Sequence, residues 1–259
     1  MIQTEKISSL QNPKIKNIVR LQKASERKKQ QLFVVEGLKE IKHVVSCGYE
    51  LHSLFFCPDI APEGLPESLI PKVPQTFEVS SEVFSKIAYR ETTGGMVALA
   101  YSRFLTLEDL KLSEVPLVVV LEHVEKPGNL GAILRTADAA QVDAVIICDP
   151  ATDLYNPNVI RASIGCVFST QVVSCSSEEA MKWLRSENIR CFAAAIQTNK
   201  WYHETNFKQP AALIMGTESE GLSQLWREFS EEIIKIPMMG INDSLNVSIA
   251  TAILIYEAM

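Results

Sequence analysis

The amino-acid sequence predicts an α/β fold centred on a mostly parallel sheet with helices on both faces. Three observations support that prediction. Short apolar runs rich in β-branched residues recur in the second half of the chain: LVVVLEHV from Leu117, AVIIC from Ala144, TQVVS from Thr170, CFAAAI from Cys191, ALIMG from Ala212 and IIKIP from Ile233. Segments of helical character separate them, and strand–helix alternation joins strands by crossovers that make them parallel. Finally, 47% of the residues are apolar, enough to bury both faces of such a sheet, and 259 residues suit two modest domains or one large one.

Ahead of that sheet lies a smaller α/β unit. Asn12 to about Gln31 predicts a single basic helix with Ile15, Ile18, Val19 and Leu21 as a narrow apolar seam. Leu32–Glu36 is a short strand, Gly37 opens a helix through Ser46, and Ser53–Cys57 is a second strand. The run that follows is mostly loop, because Pro58, Pro62, Pro66, Pro71 and Pro74 cannot donate to a ladder or a helix interior. Thr76–Val79 and Met96–Tyr101 are strands flanking a short helix that starts near Ser80 or Ser81. These elements place an N-terminal domain at residues 1–103, a linker at 104–115 and a larger domain at 116–259.

Three strand-to-helix loops of the larger domain collect small and polar residues: PGNLGAILR (127–135), MGTESEGLS (215–223) and the stretch from Ile233 to Met259. The last reads as a strand, a loop with Pro237, Gly240, Asn242 and Asp243, and a helix capped by Ser244. Leu245, Ile249, Ala252, Ile253 and Tyr256 recur at helical spacing, and nothing charged lies between Asp243 and Glu257. A helix so apolar is buried on most sides, so Ser244, Asn246 and Ser248 in its first turn must face groups that need hydrogen bonds. In open α/β sheets, ligands collect where strand ends feed helices.

The net charge of −6 argues against nucleic acid, but its distribution does not. Residues 1–43 hold ten basic against four acidic side chains, so the rest of the chain carries −12. A basic end on an acidic body supplies the phosphate-attracting part of RNA binding, and a solvated helix face would look the same. Six scattered cysteines without a CxxC pair suit free thiols in a reducing cytoplasm, not a zinc site or a disulfide frame. The sequence predicts no membrane span, no signal peptide and no metal. His123, closing the first buried strand, reads as a structural residue more readily than as a base.

No dinucleotide fingerprint, phosphate loop or GxSxG elbow is present. Together, however, NLGAILRTADA, GTESEGLS and IPMMGINDSLNVSIATAILIYE resemble the three successive motifs of the SpoU, or TrmH, RNA methyltransferases of the SPOUT class. Residues 32–101, with VVEGLKEIKHVVSCG and GGMVALA, are similar to the substrate-binding domain of that family, itself resembling an RNA-binding ribosomal-protein fold.

The resemblance implies a C-terminal trefoil knot, S-adenosyl-L-methionine as cofactor and methylation of a ribose 2′-hydroxyl in structured RNA. It implies cofactor contacts from Met215, Gly216, Ile236, Met238 and Leu245, mostly through backbone groups. Asn129, Arg135, Glu218, Ser244 and Asn246 would face the acceptor nucleotide. The family often gives Arg135 the proton-abstracting role. A guanidinium with a pKa above about 12 is a poor base, and holding phosphate while polarising the hydroxyl suits it better. Arg161 in NPNVIRASIG, with Lys14, Lys16 and Arg20, would contact RNA. A homodimer through the C-terminal domain is also implied, with ribosomal RNA of the 23S type favoured over tRNA. The alternatives are a tRNA enzyme, a non-catalytic RNA-binding paralogue in ribosome assembly, and an NAD-linked enzyme on an ordinary doubly wound sheet.

Overall fold

The computed structural model describes residues 4–61, 69, 73–88, 94–217 and 220–259. Pro62, Pro66, Pro71 and Glu218 lie outside the described residues. The chain divides into two compact units, one of Met1–Arg103 with Tyr155–Ile160 and one of Phe104–Leu154 with Arg161–Met259. This corrects the contiguous division. Residues 104–115 group with the second unit, where Leu105 bridges Val173 and the Lys111 N–H donates to Gln171 Oε1 at 3.0 Å. Tyr155 groups with the first unit because its ring stacks on Phe33, centroids 4.3 Å apart, and its hydroxyl lies 3.3 Å from that of Tyr49.

The first unit holds a five-stranded sheet formed by β1 (Glu5–Ile7), β2 (Leu32–Glu36), β3 (Leu51–Phe56), β4 (Thr76–Val79) and β5 (Met96–Tyr101). Their order is β1-β4-β3-β5-β2, with β5 antiparallel to both β2 and β3, and β4 parallel to both β1 and β3. Helices α1 (Pro13–Arg20), α2 (Ala24–Gln30), α3 (Leu38–Ser46) and α4 (Ser81–Ile87) complete the unit. Ile15, Ile18 and Leu21 pack with Phe55, Phe77 and Phe84 in one core.

The single helix expected over residues 12–31 is two helices. Lys23 is extended (φ −88°, ψ 132°), which ends the first and starts the second. The break is held by a buried arginine: Arg27 Nη1 donates to the carbonyls of Leu21 at 2.7 Å and Gln22 at 2.8 Å, satisfying oxygens that a continuous helix would have paired.

The second unit is a six-stranded, wholly parallel sheet. Its elements are β6 (Leu117–Glu122), α5 (Pro127–Ala139), β7 (Ala144–Cys148), α6 (Pro157–Ala162), β8 (Val172–Cys175), α7 (Ser177–Ser186), β9 (Arg190–Ala194), β10 (Ala211–Met215), α8 (Gln224–Phe229), β11 (Glu232–Ile234) and α9 (Val247–Ala258). The first residues of α6 group with the other unit. The order β11-β9-β10-β6-β7-β8 bears out the α/β, mostly parallel expectation. Alternating side chains such as Val118, Val120, Ile146 and Ile214 face a core that includes Trp226, whose indole N–H donates to Ser177 Oγ at 3.0 Å.

Two features of this sheet position the site. All strands run the same way, so the loops after β6, β9, β10 and β11 leave one edge. The chain also reverses its winding between β6 and β10, neighbours in the sheet, which opens the crevice where α/β sheets bind ligands. The helix expected from Ser244 starts at Val247 instead, with Asn246 as its cap, because the Asn246 side chain accepts the Ser248 N–H. Ser244 Oγ donates to Asp243 Oδ1 at 3.1 Å. The helix is apolar all round: Val247, Thr251, Leu254 and Ile255 are buried, while Ile249 and Tyr256 are 52% and 58% exposed.

Candidate active site

A cavity of about 440 Å³ opens at that edge of the second unit. Its walls come from the end of β9 (Ala194 to Gln197), the loop after β10 (Met215, Gly216, Thr217, Glu220, Gly221), the stretch after β11 (Lys235, Ile236, Met238) and the approach to α9 (Asp243, Ser244, Leu245, Val247). Met215, Gly216, Ile236, Met238 and Leu245 thus all line one cavity, and Ser244 lines it too.

The glycine at position 216 is dictated by close packing. A Cβ there would lie 2.2 Å from the Gly221 carbonyl carbon and 2.4 Å from the Leu222 nitrogen, both backbone atoms that cannot yield. The loop folds back because Thr217 and Gly221 exchange backbone hydrogen bonds of 3.1 Å in each direction, with Gly221 at φ +70°. The resulting wall presents backbone and aliphatic groups. Lys235 is the cation among the lining residues, set against Glu220 and Asp243. Such a donor set does not cradle a chain of phosphates; it suits a flat, hydrogen-bonding heterocycle with an apolar slot.

A smaller cavity of about 90 Å³ adjoins it, sharing Gly216, Thr217 and Val247 and adding Val124, Glu125, Lys126 and Asn129. Asn129 lies in the first turn of α5, where Pro127 at the helix start fixes the entry of the chain. Asn246 Nδ2 donates to Asn129 Oδ1 at 3.2 Å, joining the first motif to the third across 117 residues of sequence. The loop before α5 is pinned from outside the cavity. His123, at φ +51°, donates from Nδ1 to the Asp149 carbonyl at 2.8 Å, and Thr152 Oγ1 donates to the Glu125 carbonyl. His123 therefore has the structural role read from the sequence.

The remaining candidates are not gathered there. Arg135 is exposed on α5 and lines neither cavity. Its charge acts on Cys166, whose thiol is nevertheless raised to about 11 by burial and by Asp138. Arg161, exposed in the last turn of α6, also lines neither cavity. Lys14, Lys16 and Arg20 are on α1 in the first unit, Lys14 paired with Glu5 at 3.3 Å and lying 4.9 Å from the Phe77 ring centroid. Cysteine chemistry is disfavoured as well, since Cys148 is pushed up by its hydrogen bond to Cys175 and by burial. Among the described residues, no group of three or more His, Cys, Asp or Glu side chains is placed to hold a metal ion.

Ile196, Gln197 and Lys235 are cavity residues that the sequence reading missed. The available signal was positional: the segment after β9 leaves the same sheet edge, although AIQTNK contains no glycine.

Comparison with known proteins decides the family. Residues 116–256 match the SpoU rRNA Methylase family, and residues 12–98 match the MRM3-like substrate binding domain. The chain belongs to the SpoU rRNA methylase family. It is 30% identical to the 23S rRNA (guanosine(2553)-2'-O)-methyltransferase RlmP of Bacillus subtilis (strain 168), covering 98% of both chains. A crystal structure of an RNA 2'-O ribose methyltransferase is 38% identical, with a TM-score of 0.83 over 98% of this chain and 97% of that one. An AdoMet-bound rRNA methyltransferase from Sinorhizobium meliloti is 30% identical, with a TM-score of 0.91 over 99% and 98%. The likeness to SpoU enzymes is thus borne out over nearly the whole chain, and an ordinary NAD-linked doubly wound enzyme is excluded.

Proposed function

We propose that this SpoU family member transfers a methyl group from S-adenosyl-L-methionine to a ribose 2′-hydroxyl of 23S-type ribosomal RNA. The observation that carries the proposal is the adjacency of the two cavities: one walled largely by backbone and aliphatic groups, the other lined by Asn129, which Asn246 holds through a hydrogen bond. The full-length match to enzymes named for rRNA favours rRNA over tRNA. When bound, the cofactor supplies an electrophilic methyl carbon on a sulfonium.

The chain's own residues do the rest. Met215, Gly216, Ile236, Met238 and Leu245 hold the cofactor in the larger cavity and keep water from it. Asn129, Ser244 and Asn246 orient the acceptor ribose, so that the oxygen approaches in line and transfer becomes effectively unimolecular. Arg135 and Arg161 bind the RNA backbone outside the cavities, Arg135 stabilising the phosphate beside the reacting ribose while phosphate or water takes the proton. Glu218 belongs to the acceptor side by the same family pattern. The first unit recruits structured RNA through Lys14, Lys16 and Arg20, and the second unit carries the chemistry.

The wider reading has three parts. A trefoil knot is supported by the course of the chain, since α9 follows the edge strand β11 yet packs on α5 and β10. A homodimer is supported by apolar side chains left exposed beside the cavity, Met239 and Ile241 among them with Ile249 and Tyr256 on α9. An rRNA substrate supports a cytoplasmic location. Separately, among the described residues no helix is long and apolar enough to cross a membrane.

The deciding experiment incubates the full chain with methyl-labelled cofactor and 23S rRNA from cells lacking the gene, then maps ribose methylation. Incorporation at one nucleotide is expected, and Arg135→Ala should abolish it while S-adenosylhomocysteine affinity stays within a few-fold. Cofactor binding without incorporation into any RNA would replace this reading with the assembly-factor one.

A further inference from the structure

The cap of α9 fixes more than a helix end. Asn246 Oδ1 accepts the backbone N–H of Ser248 at 3.0 Å and the Ser248 hydroxyl at 2.6 Å. A backbone N–H can only donate, so the oxygen of this amide must face Ser248 whichever way the side chain is drawn. Its NH₂ group is then the end that meets Asn129, at 3.2 Å. A donor in that position selects an acceptor, so Asn129 turns its own Oδ1 toward Asn246 and its NH₂ away. Orientation passes from a helix terminus, through one amide, to a second amide that lines the smaller cavity.

We propose that Ser248 is a positioning residue for methyl transfer. Acting through Asn246, it holds Asn129 with its NH₂ as the donor toward an oxygen of the acceptor nucleotide. This rests on the acceptor-site role proposed for Asn129. The polarity matters because a reversed Asn129 would offer a carbonyl to that oxygen. Two oxygen atoms would then face each other wherever the acceptor brings a lone pair, and the ribose would be held in the wrong orientation for in-line attack.

The two asparagines are consequently not equivalent. Asn246→Asp keeps a good cap for α9, since aspartate accepts the Ser248 N–H as well as asparagine does, but it removes the donor to Asn129. Asn129→Asp keeps the acceptor for Asn246 and removes the donor to RNA. Ser248→Ala removes the hydroxyl, and Ser248→Thr restores it.

The test measures steady-state methylation of protein-free 23S rRNA from a strain lacking the gene, together with calorimetric titration of S-adenosylhomocysteine and thermal unfolding of each full-length variant. Asn246→Asp is expected to lower kcat at least tenfold, with cofactor affinity within a few-fold and an unfolding midpoint near that of the parent. Ser248→Ala should lower kcat several-fold with little change in KM, and Ser248→Thr should recover most of it. Wild-type kcat in both Asn246→Asp and Ser248→Ala, with Asn129→Ala inactive, would overturn the orienting role and leave the acceptor site standing. Full activity in Asn129→Ala would instead remove the acceptor-site reading itself.

Discussion

Gly216 shows how a single missing side chain defines a wall of the larger cavity. Its α-carbon faces the backbone of Gly221 and Leu222 at distances no Cβ tolerates, so the loop closes only on glycine. Gly216→Ala must displace the backbone of Gly221 and Leu222, and with it the wall of the larger cavity. The expected result is a loss of at least tenfold in S-adenosylhomocysteine affinity by calorimetry; parental affinity would mean that the loop does not contact the ligand. The residues that were legible in the sequence share this character. Met215, Gly216, Ile236, Met238 and Leu245 lie in motifs whose order and length are specific, and all five line the cavity. Ile196, Gln197 and Lys235 escaped because they carry no motif. They reach the cavity only because β9 and β11 end at the same sheet edge, a fact of strand order that no local window contains.

At the scale of elements, the strands of the second unit were the most legible, since buried parallel strands are apolar on both faces and announce themselves as continuous runs. β1 was not, being three residues long with the alternation Glu-Lys-Ile and only Ile7 buried. The break between α1 and α2 was hidden for a different reason. Local propensity favours a continuous helix, and what overrides it is Arg27 turning back onto carbonyls five and six residues earlier. Arg27 is 3% exposed, so replacing it leaves those two oxygens to find other partners. Arg27→Met should destabilise the fold by about 1–3 kcal/mol in urea unfolding, the cost of orphaning buried polar groups. A midpoint unchanged from the parent would show that water reaches the two carbonyls and that the guanidinium is dispensable. Ser244 and Asn246 are both good caps by type, and the cap of α9 lies two residues beyond Ser244 because it is Asn246 that accepts the Ser248 N–H and meets Asn129.

For the molecule as a whole, charge is segregated along the chain, with an excess of basic residues before position 44 and an acidic remainder. RNA affinity should therefore rest on a few phosphate contacts made by the first unit and fall steeply with salt, as released counterions are lost as a driving force. A titration series between about 50 and 200 mM salt is expected to weaken binding at least tenfold, and Lys16→Ala with Arg20→Ala should flatten the slope. An unchanged slope in that variant would move the RNA contact off α1.

The inclusion of Tyr155–Ile160 in the first unit has a temporal consequence. During synthesis, domains fold as their sequences emerge, the N-terminal ones first. The first unit is closed once Ile160 has been made, with Tyr155 seated on Phe33, whereas among the described residues the larger cavity takes no wall residue before Ala194. A growing chain therefore completes the unit proposed to recruit RNA before the cavity proposed for the methyl donor has any of its described walls. On the proposed function, a chain released at that stage should bind ribosomal RNA without methylating it, and a truncation ending at Ile160 that fails to bind would break this link.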